Sequence, residues 1–188
     1  MSEIFFTSDT HFGHNKEFLW KGRGFGSVEE HAEGLIENWN KVVKAHDIVY
    51  FLGDIALSPE NEEKSIEWVK RLNGEIKWIG GNHDTDKRME RFLVECDNII
   101  EWDGWAEKLK LDKKTLFLTH YPTLTINKLD SQEQVKKTLV YNLHGHTHQT
   151  TNFSPDLPKN CYHVGLDSHN LTPVSWEEVK RDLNNIMI

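Results

Sequence analysis

The chain has 188 residues, 37% hydrophobic, 28% charged and 11% aromatic, which suits a single globular domain, residues 1–188, with ample apolar material for a core. Its formal net charge of −8 argues against a basic face for long nucleic acid, and no apolar run approaches the roughly 20 residues needed to span a bilayer. Cys96 and Cys161 form neither a metal spacing nor a disulfide framework, and the N-terminus lacks a signal-peptide pattern, so the expected setting is cytoplasmic with buried free thiols.

In chain order, residues 4–8 form an apolar, strand-like run that leads into Asp9-Thr10-His11-Phe12-Gly13-His14. On extended chain Asp9 and His11 face the same side, and a carboxylate with an imidazole suits a divalent ion of the Mn, Fe or Zn type. Residues 15–26 read as a glycine-rich basic loop that carries Arg23 but has no P-loop pattern. Ser27 and Glu30 make a capping-box pattern for a helix with Val28, Ala32, Leu35, Ile36, Trp39 and Val42 at helical spacing. His31 falls on its polar face and reads as solvated.

Residues 47–52 are the second strand-like run and end in Gly53-Asp54, where glycine permits close approach and Asp54 is a hard oxygen ligand. Ser58-Pro59 starts a helix striped with Ile66, Val69 and Leu72, which Asn73-Gly74 ends. A third run, 75–80, leads into Gly81-Asn82-His83-Asp84. Thr85 caps a short helix with Met89, Phe92 and Leu93, on which Lys87 and Arg88 read as solvated charges. Residues 98–102 and 105–111 read as strands, and Asp112-Lys113-Lys114 turns the second into 115–119, ahead of His120.

Residues 127–137 are polar, with a capping-box pattern at Ser131 and Gln134 before a short helix. The run Leu139-Val140-Tyr141 then precedes Leu143-His144-Gly145-His146-Thr147-His148, in which His146 and His148 reach one metal or two neighbouring ones. Residues 150–160 read as a loop and 161–167 as a final strand, and Ser175 with Glu178 caps a last helix with Trp176, Val179, Leu183 and Ile186 inward. The tryptophans at 39, 68, 78 and 176 read as core, and His144, His163 and His169 lie near the motifs by sequence only. Strands alternating with helices imply an α/β layered domain, whose ligands sit beyond the carboxyl ends of the strands. All five motifs lie at such ends.

Asp9-x-His11, Gly53-Asp54, Gly81-Asn82-His83-Asp84, His120 and Gly145-His146-x-His148, in that order, resemble the five-motif signature of the calcineurin-like binuclear metallophosphoesterases. The resemblance runs from residue 4 to about 167. The extended start Ser8-Asp9-Thr10-His11-Phe12-Gly13-His14, and the late Val164-Gly165-Leu166-Asp167 leading to Pro173-Val174, resemble the small prokaryotic and phage phosphoesterases of that superfamily. The resemblance implies a four-layer α/β/β/α sandwich with two mixed β-sheets. It implies that Asp9, His11 and His148 hold one metal, that Asn82, His120 and His146 hold a second, and that Asp54 bridges them. It further implies that His83 faces the substrate and Asp84 orients it. The third motif ends in Asp84 where protein Ser/Thr phosphatases carry Glu, and Asp-Arg-Gly is missing after Gly53, which sets that branch aside.

The chemistry expected is phosphoryl transfer to water. Two divalent ions about 3.5–4 Å apart clamp a phosphoryl group and supply a bridging hydroxide for in-line attack at neutral pH. Mn²⁺ fits the mixed N/O ligand set first, with Fe, Zn²⁺, Ni²⁺ or Co²⁺ as alternatives. His83 would protonate the leaving oxygen. His14 and Arg23 are candidate substrate contacts, Arg23 through a bidentate bond to phosphate, against a solvated loop arginine. The scarcity of Arg and Lys beside the motifs favours a small, nucleotide-like phosphodiester over a monoester. A phosphomonoesterase, a nuclease on short or single-stranded ends, and a catalytically silent binding scaffold are the competing readings. No membrane, long nucleic acid or obligate protein partner is expected.

Overall fold

The computed structural model describes residues 2–124 and 139–186. Among these residues nine strands form two mixed sheets. Strands β1 (Ile4–Thr7), β2 (Ile48–Leu52), β3 (Glu75–Ile79), β4 (Ile99–Trp102) and β9 (Val174–Ser175) make the first, in the order β4-β3-β2-β1-β9. Its first four strands are parallel, and β9 runs antiparallel to β1. Strands β5 (Ala106–Leu111), β6 (Lys114–Thr119), β7 (Val140–His144) and β8 (Cys161–His163) make the second, in sequential order, with β5 antiparallel to β6 and the rest parallel.

The apolar runs dictate this arrangement because successive strand residues point to opposite faces. Phe5, Val49, Phe51, Ile76 and Trp78 face a core shared with helices α2 (Val28–Val42), α3 (Glu62–Val69) and α4 (Asp86–Glu95). Phe6, Tyr50, Leu52 and Ile79 face the opposite way and meet Leu116, Leu118, Tyr141, Leu143 and Tyr162 of the second sheet. The first sheet is therefore buried on both faces, which is why its strands are continuous apolar runs rather than alternating ones. Helix α5 (Trp176–Asn185) closes the inter-sheet core with Trp176, Val179 and Leu183. The α/β fold with two mixed sheets and helices is thus the one expected. No helix among the described residues is long and apolar enough to cross a membrane.

Caps and turns behave locally as the sequence indicates, with exceptions. Ser175 and Glu178 form a complete capping box on α5, and Thr85 caps α4. Ser27 accepts from the Glu30 N–H, but the Glu30 carboxylate accepts from the Gly26 N–H, so that box is only half formed. Ser58 makes no side-chain cap and sits at φ 89°, ahead of a 3₁₀ turn at Pro59–Asn61. Asp112 and Lys113, both at positive φ, make the tight β5–β6 turn.

Several expectations are corrected. Residues 15–26 are not all loop: α1 (Glu17–Gly22) forms there, because Leu19 and Trp20 have apolar surface to bury against and Glu17 pairs with Lys21 one turn on. The final strand stops at His163, and a 3₁₀ turn at Leu166–Ser168 follows. Strand β9 has too few residues to show a period. His31 is fully buried, and Arg88, placed on α4 as a solvated charge, is buried with its guanidinium on the carbonyls of Ala56 and His83 and on Glu62. Cys96 and Cys161 are buried free thiols. The capping-box pattern at Ser131 and Gln134 lies outside the described residues.

Candidate metal centre and its cleft

Each motif sits at the carboxyl end of its own strand: Asp9 and His11 after β1, Asp54 after β2, Asn82 to Asp84 after β3, His120 after β6, and His146 and His148 after β7. The ligand pairs do not lie on extended chain. Asp9 (φ 60°), His11 (48°), Asp54 (61°), His146 (66°) and His148 (48°) are all left-handed. For residues with a Cβ this costs roughly 1–2 kcal/mol each, and such strain persists only where the surroundings over-determine it. Here they do. The N–H groups of Asp9, His11 and Phe12 donate to the carbonyls of Gly53, Asp54 and Ile55, tying the first two motifs together. Gly53 itself lies at φ 92°, and a Cβ on it would stand 2.6 Å from His120 Nδ1 and 2.7 Å from Gly81 Cα.

These turns separate the donors into two groups. In the first, His11 Nε2 and His148 Nε2 stand 3.1 Å apart, and each lies 3.7 Å from Asp9 Oδ1. In the second, Asn82 Oδ1 is 2.9 Å from both His120 Nε2 and His146 Nδ1, and His120 Nε2 is 3.4 Å from Asp54 Oδ2. Asp54 Oδ2 also lies 3.8 Å from His11 Nε2, so this carboxylate sits between the groups. His146 and His148 therefore turn to different groups.

The residues present suit divalent cations. Asp9, His11 and His148 offer ligand atoms close enough for one ion, as do Asp9, Asp54 and His120. Asp9 Oδ1 is buried without a hydrogen-bond partner, while Oδ2 accepts from Ser8 Oγ and the His146 N–H. Burial raises the Asp9 carboxyl and lowers the His11 imidazole, each penalised for carrying charge away from water. Burial likewise opposes charge on Asp54 and His120, but their attraction to each other, together with the neighbouring charges and backbone hydrogen bonds, outweighs it, holding Asp54 at about 2 and His120 up at about 9.

Surrounding partners fix the imidazoles. His120 Nδ1 donates to the Leu52 carbonyl at 2.8 Å, leaving Nε2 for the centre. His148 Nδ1 donates to Asp167 Oδ2 at 2.7 Å, likewise freeing Nε2. This is the carboxylate–histidine arrangement that raises ligand basicity. Asp167 is in turn gripped by Arg23, Nε to Oδ1 at 2.8 Å and Nη2 to Oδ2 at 2.9 Å. Arg23 also donates to the carbonyls of Asp9 and Thr10 and meets His31 Nε2. Its side chain is only 3% exposed. Arg23 is therefore not a solvated loop residue: it lines the cleft, but its donors are used inside the protein.

His83 holds the open side, with its side chain 40% exposed, Nε2 3.9 Å from Asp54 Oδ2, and its ring beside that of His11. Asp84 does not orient that ring. Asp84 Oδ2 accepts from the N–H groups of Asp54 and Gly81 and from Trp78 Nε1, so it braces the backbone beneath Asp54. Burial, then the charge of Asp54, push its carboxyl up to about 7 against those three donors. A cleft of about 460 Å³ opens here, lined by His11, His83 and His148 and walled by His14 and Phe18. His14 thus faces the cleft. His144 and His163 are buried behind the centre, and His169 donates to or accepts nothing in it, its Nε2 meeting the His163 carbonyl. Asp167 and His31 are the parts of the site that spacing missed: Asp167 joins it through His148 and Arg23, and His31 through Arg23.

Residues 3–161 match the model of the calcineurin-like phosphoesterase superfamily domain. An uncharacterized protein of Methanocaldococcus jannaschii is 47% identical over 105 residues, which cover 56% of this chain and 56% of that protein. The Gene 66 protein of Mycobacterium phage D29 is 29% identical over 203 residues, covering 99% of this chain and 98% of its own. Among solved structures, a protein of unknown function from Aquifex aeolicus shares the fold, with a TM-score of 0.67 at 22% identity over 96% of this chain and 99% of its own.

Proposed function

Because the chain belongs to the calcineurin-like phosphoesterase superfamily, we propose that it is a metal-dependent phosphohydrolase acting on a small, nucleotide-like phosphodiester. Asp9, His11 and His148 hold one divalent ion, Asn82, His120 and His146 a second, and Asp54 lies between them. Two such ions, Mn²⁺ first among them, supply a nucleophile from water at neutral pH and neutralise charge on the phosphoryl oxygens. His83, on the open side of the cleft, is placed to hand a proton to the leaving oxygen, a contribution typically worth about 10²–10⁴ in rate. Asp84 and Gly53 hold Asp54 in its left-handed turn, and Asp167 holds the His148 tautomer.

The observation that carries the diester preference is the fate of Arg23. Among the described residues lining the cleft it is the only Lys or Arg, and Asp167 occupies its fork. Among the described residues a monoester dianion would therefore meet no free side-chain cation in the cleft beyond the ions, whereas a diester carries one charge less. The test is a paired assay on chelator-stripped protein, using a bis-aryl phosphodiester and the matching monoester with and without Mn²⁺. Mn²⁺-dependent diester cleavage supports the reading. Cleavage of the monoester alone keeps the centre but overturns the substrate class. Bound metal with no turnover of either favours a binding scaffold on this fold.

A further inference from the structure

The large apolar side chains exposed among the described residues include three aromatic rings, Phe18 at 74%, Trp105 at 54% and Tyr121 at 50%. All three line hollows that open onto the candidate ligands. Phe18 walls the cleft of about 460 Å³ beside His11, His83 and His148. It meets the ring of His14 edge-on at 5.5 Å, and His14 in turn lies 5.8 Å from the ring of His11. Trp105 and Tyr121 wall a second hollow of about 330 Å³, which reaches His120. The Tyr121 ring packs 4.5 Å from that of His146 and 5.4 Å from that of His120. Each donor group thus has an aromatic shelf beside it, Phe18 one imidazole away through His14 and Tyr121 directly against His146 and His120, and each hollow falls in the usual size range of ligand pockets, about 300–1,000 Å³.

The two shelves share a second property. Among the described residues Arg23 is the only Lys or Arg lining either hollow, and it is bonded to Asp167. Exposed rings without free cations suit flat, uncharged groups and give no hold on further phosphates. Bases stack on such rings whatever their identity, since each has a π-face.

The geometry points to a substrate with one phosphodiester and a ring on each arm, of the dinucleoside monophosphate class, with the leaving arm over Phe18 and the retained arm over Tyr121 and Trp105. This deepens and rests on the phosphodiesterase reading. In the reaction the oxygen of water bonds to phosphorus and the ester P–O bond on the Phe18 side breaks. The leaving oxygen takes a proton from His83, which water's proton replaces, and the products are a monoester and an alcohol. His83 lines the same cleft as Phe18, which places the leaving arm there.

The experiment measures binding and turnover on Mn²⁺-loaded protein. Diphenyl phosphate and diethyl phosphate carry the same charge and differ in their rings, so equilibrium dialysis of the pair isolates the shelves. Wild type should bind diphenyl phosphate at least tenfold more tightly. Phe18→Ala and Tyr121→Ala should each reduce that ratio about fivefold or more, while Phe18→Tyr and Tyr121→Phe preserve it, with metal content checked in every variant. In turnover, p-nitrophenyl phenyl phosphate and p-nitrophenyl ethyl phosphate share a leaving group, and Tyr121→Ala should narrow the KM gap between them. Equal affinity for the two diesters, or alanine variants that leave the ratio intact, overturns the two-shelf assignment. Diester cleavage without ring preference sinks it and leaves the phosphodiesterase reading standing. Ring-selective binding without turnover does the reverse.

Discussion

Arg23→Met is the most informative single change, because it removes a cation from the centre of a buried network without replacing a candidate ligand. Arg23 makes two hydrogen bonds to the Asp167 carboxylate, at 2.8 and 2.9 Å, donates to the carbonyls of Asp9 (2.8 Å) and Thr10 (3.3 Å), and stands 3.1 Å from His31 Nε2. With its side chain 3% exposed and that of Asp167 15%, this is a buried pair, and breaking one from a single side costs about 3–5 kcal/mol. Burial works against the charge on Asp167, and the hydrogen bonds of His148 and Arg23 hold its carboxyl well below the usual range. With Arg23 gone, Asp167 tends to take a proton and loses its grip on His148 Nδ1. Loss of such a supporting partner typically lowers metal affinity about 10–100-fold. The loss should fall on the ion held by Asp9, His11 and His148, with the Asn82, His120 and His146 position nearly spared. Urea unfolding of the metal-free protein reads the stability, and competition titration with a chromogenic chelator reads the two affinities separately. Arg23→Lys keeps the charge but not the fork, so it should fall between. A Met variant with both affinities unchanged and less than about 1 kcal/mol of destabilisation would refute the positioning role.

Adding Mn²⁺ at about 100 times its dissociation constant to stripped protein should raise the unfolding free energy by about 2.7 kcal/mol, and a calorimetric midpoint that ignores metal would contradict the fit of these residues to cations. His31 is fully buried, and burial, followed by the charge of Arg23, lowers its imidazole from 6.5 to about 3. Its folded value lies below its unfolded one, so the unfolded chain takes the proton first, and the stabilisation present above pH 6.5 is lost as pH falls towards 3. By pH 5 the loss is about 2 kcal/mol, and His31→Gln, which keeps an acceptor for Arg23, should flatten the urea midpoint between pH 6.5 and 5. An unaltered slope would show that His31 is not the source. Asp84→Ala leaves the N–H groups of Asp54, Gly81 and Trp78 without their acceptor, at about 1–3 kcal/mol each, whereas Asp84→Asn keeps an oxygen there. Chemical unfolding should therefore show the alanine variant at least about 3 kcal/mol less stable and the asparagine variant close to wild type, and equal losses would remove the bracing role.

The candidate site was legible in the sequence wherever a candidate ligand follows its strand directly. Asp9, Asp54, Asn82, His120 and His146 each end an apolar run, and apolar runs are what a doubly buried sheet writes into a sequence. The rule that gathered them was nevertheless incomplete. Side chains two apart converge on extended chain, yet Asp9 and His11, and His146 and His148, all sit at positive φ, so the turns split the second pair between the two groups. Non-glycine residues in that conformation carry no sequence mark, because it is imposed by bonds such as His11 N–H to the Asp54 carbonyl, 43 residues away.

What stayed illegible is what depends on side chains meeting across the chain. Arg23 and Asp167 are 144 residues apart and have no common pattern, and a polar helix face hid His31 because α2 buries it under Arg23 rather than presenting it to water. Helix α1 has six residues, below the length at which periodicity speaks, and owes its existence to the burial of Leu19 and Trp20. That same short helix carries Phe18 outward into the cleft and, one residue past its end, Arg23 inward to Asp167. The wall of the cleft and the clamp on His148 therefore hang from one six-residue element. Loosening Arg23 should consequently disturb substrate affinity at the Phe18 shelf as well as metal affinity at His148, a coupling that Phe18→Ala, which leaves the clamp intact, should not reproduce in the metal titration.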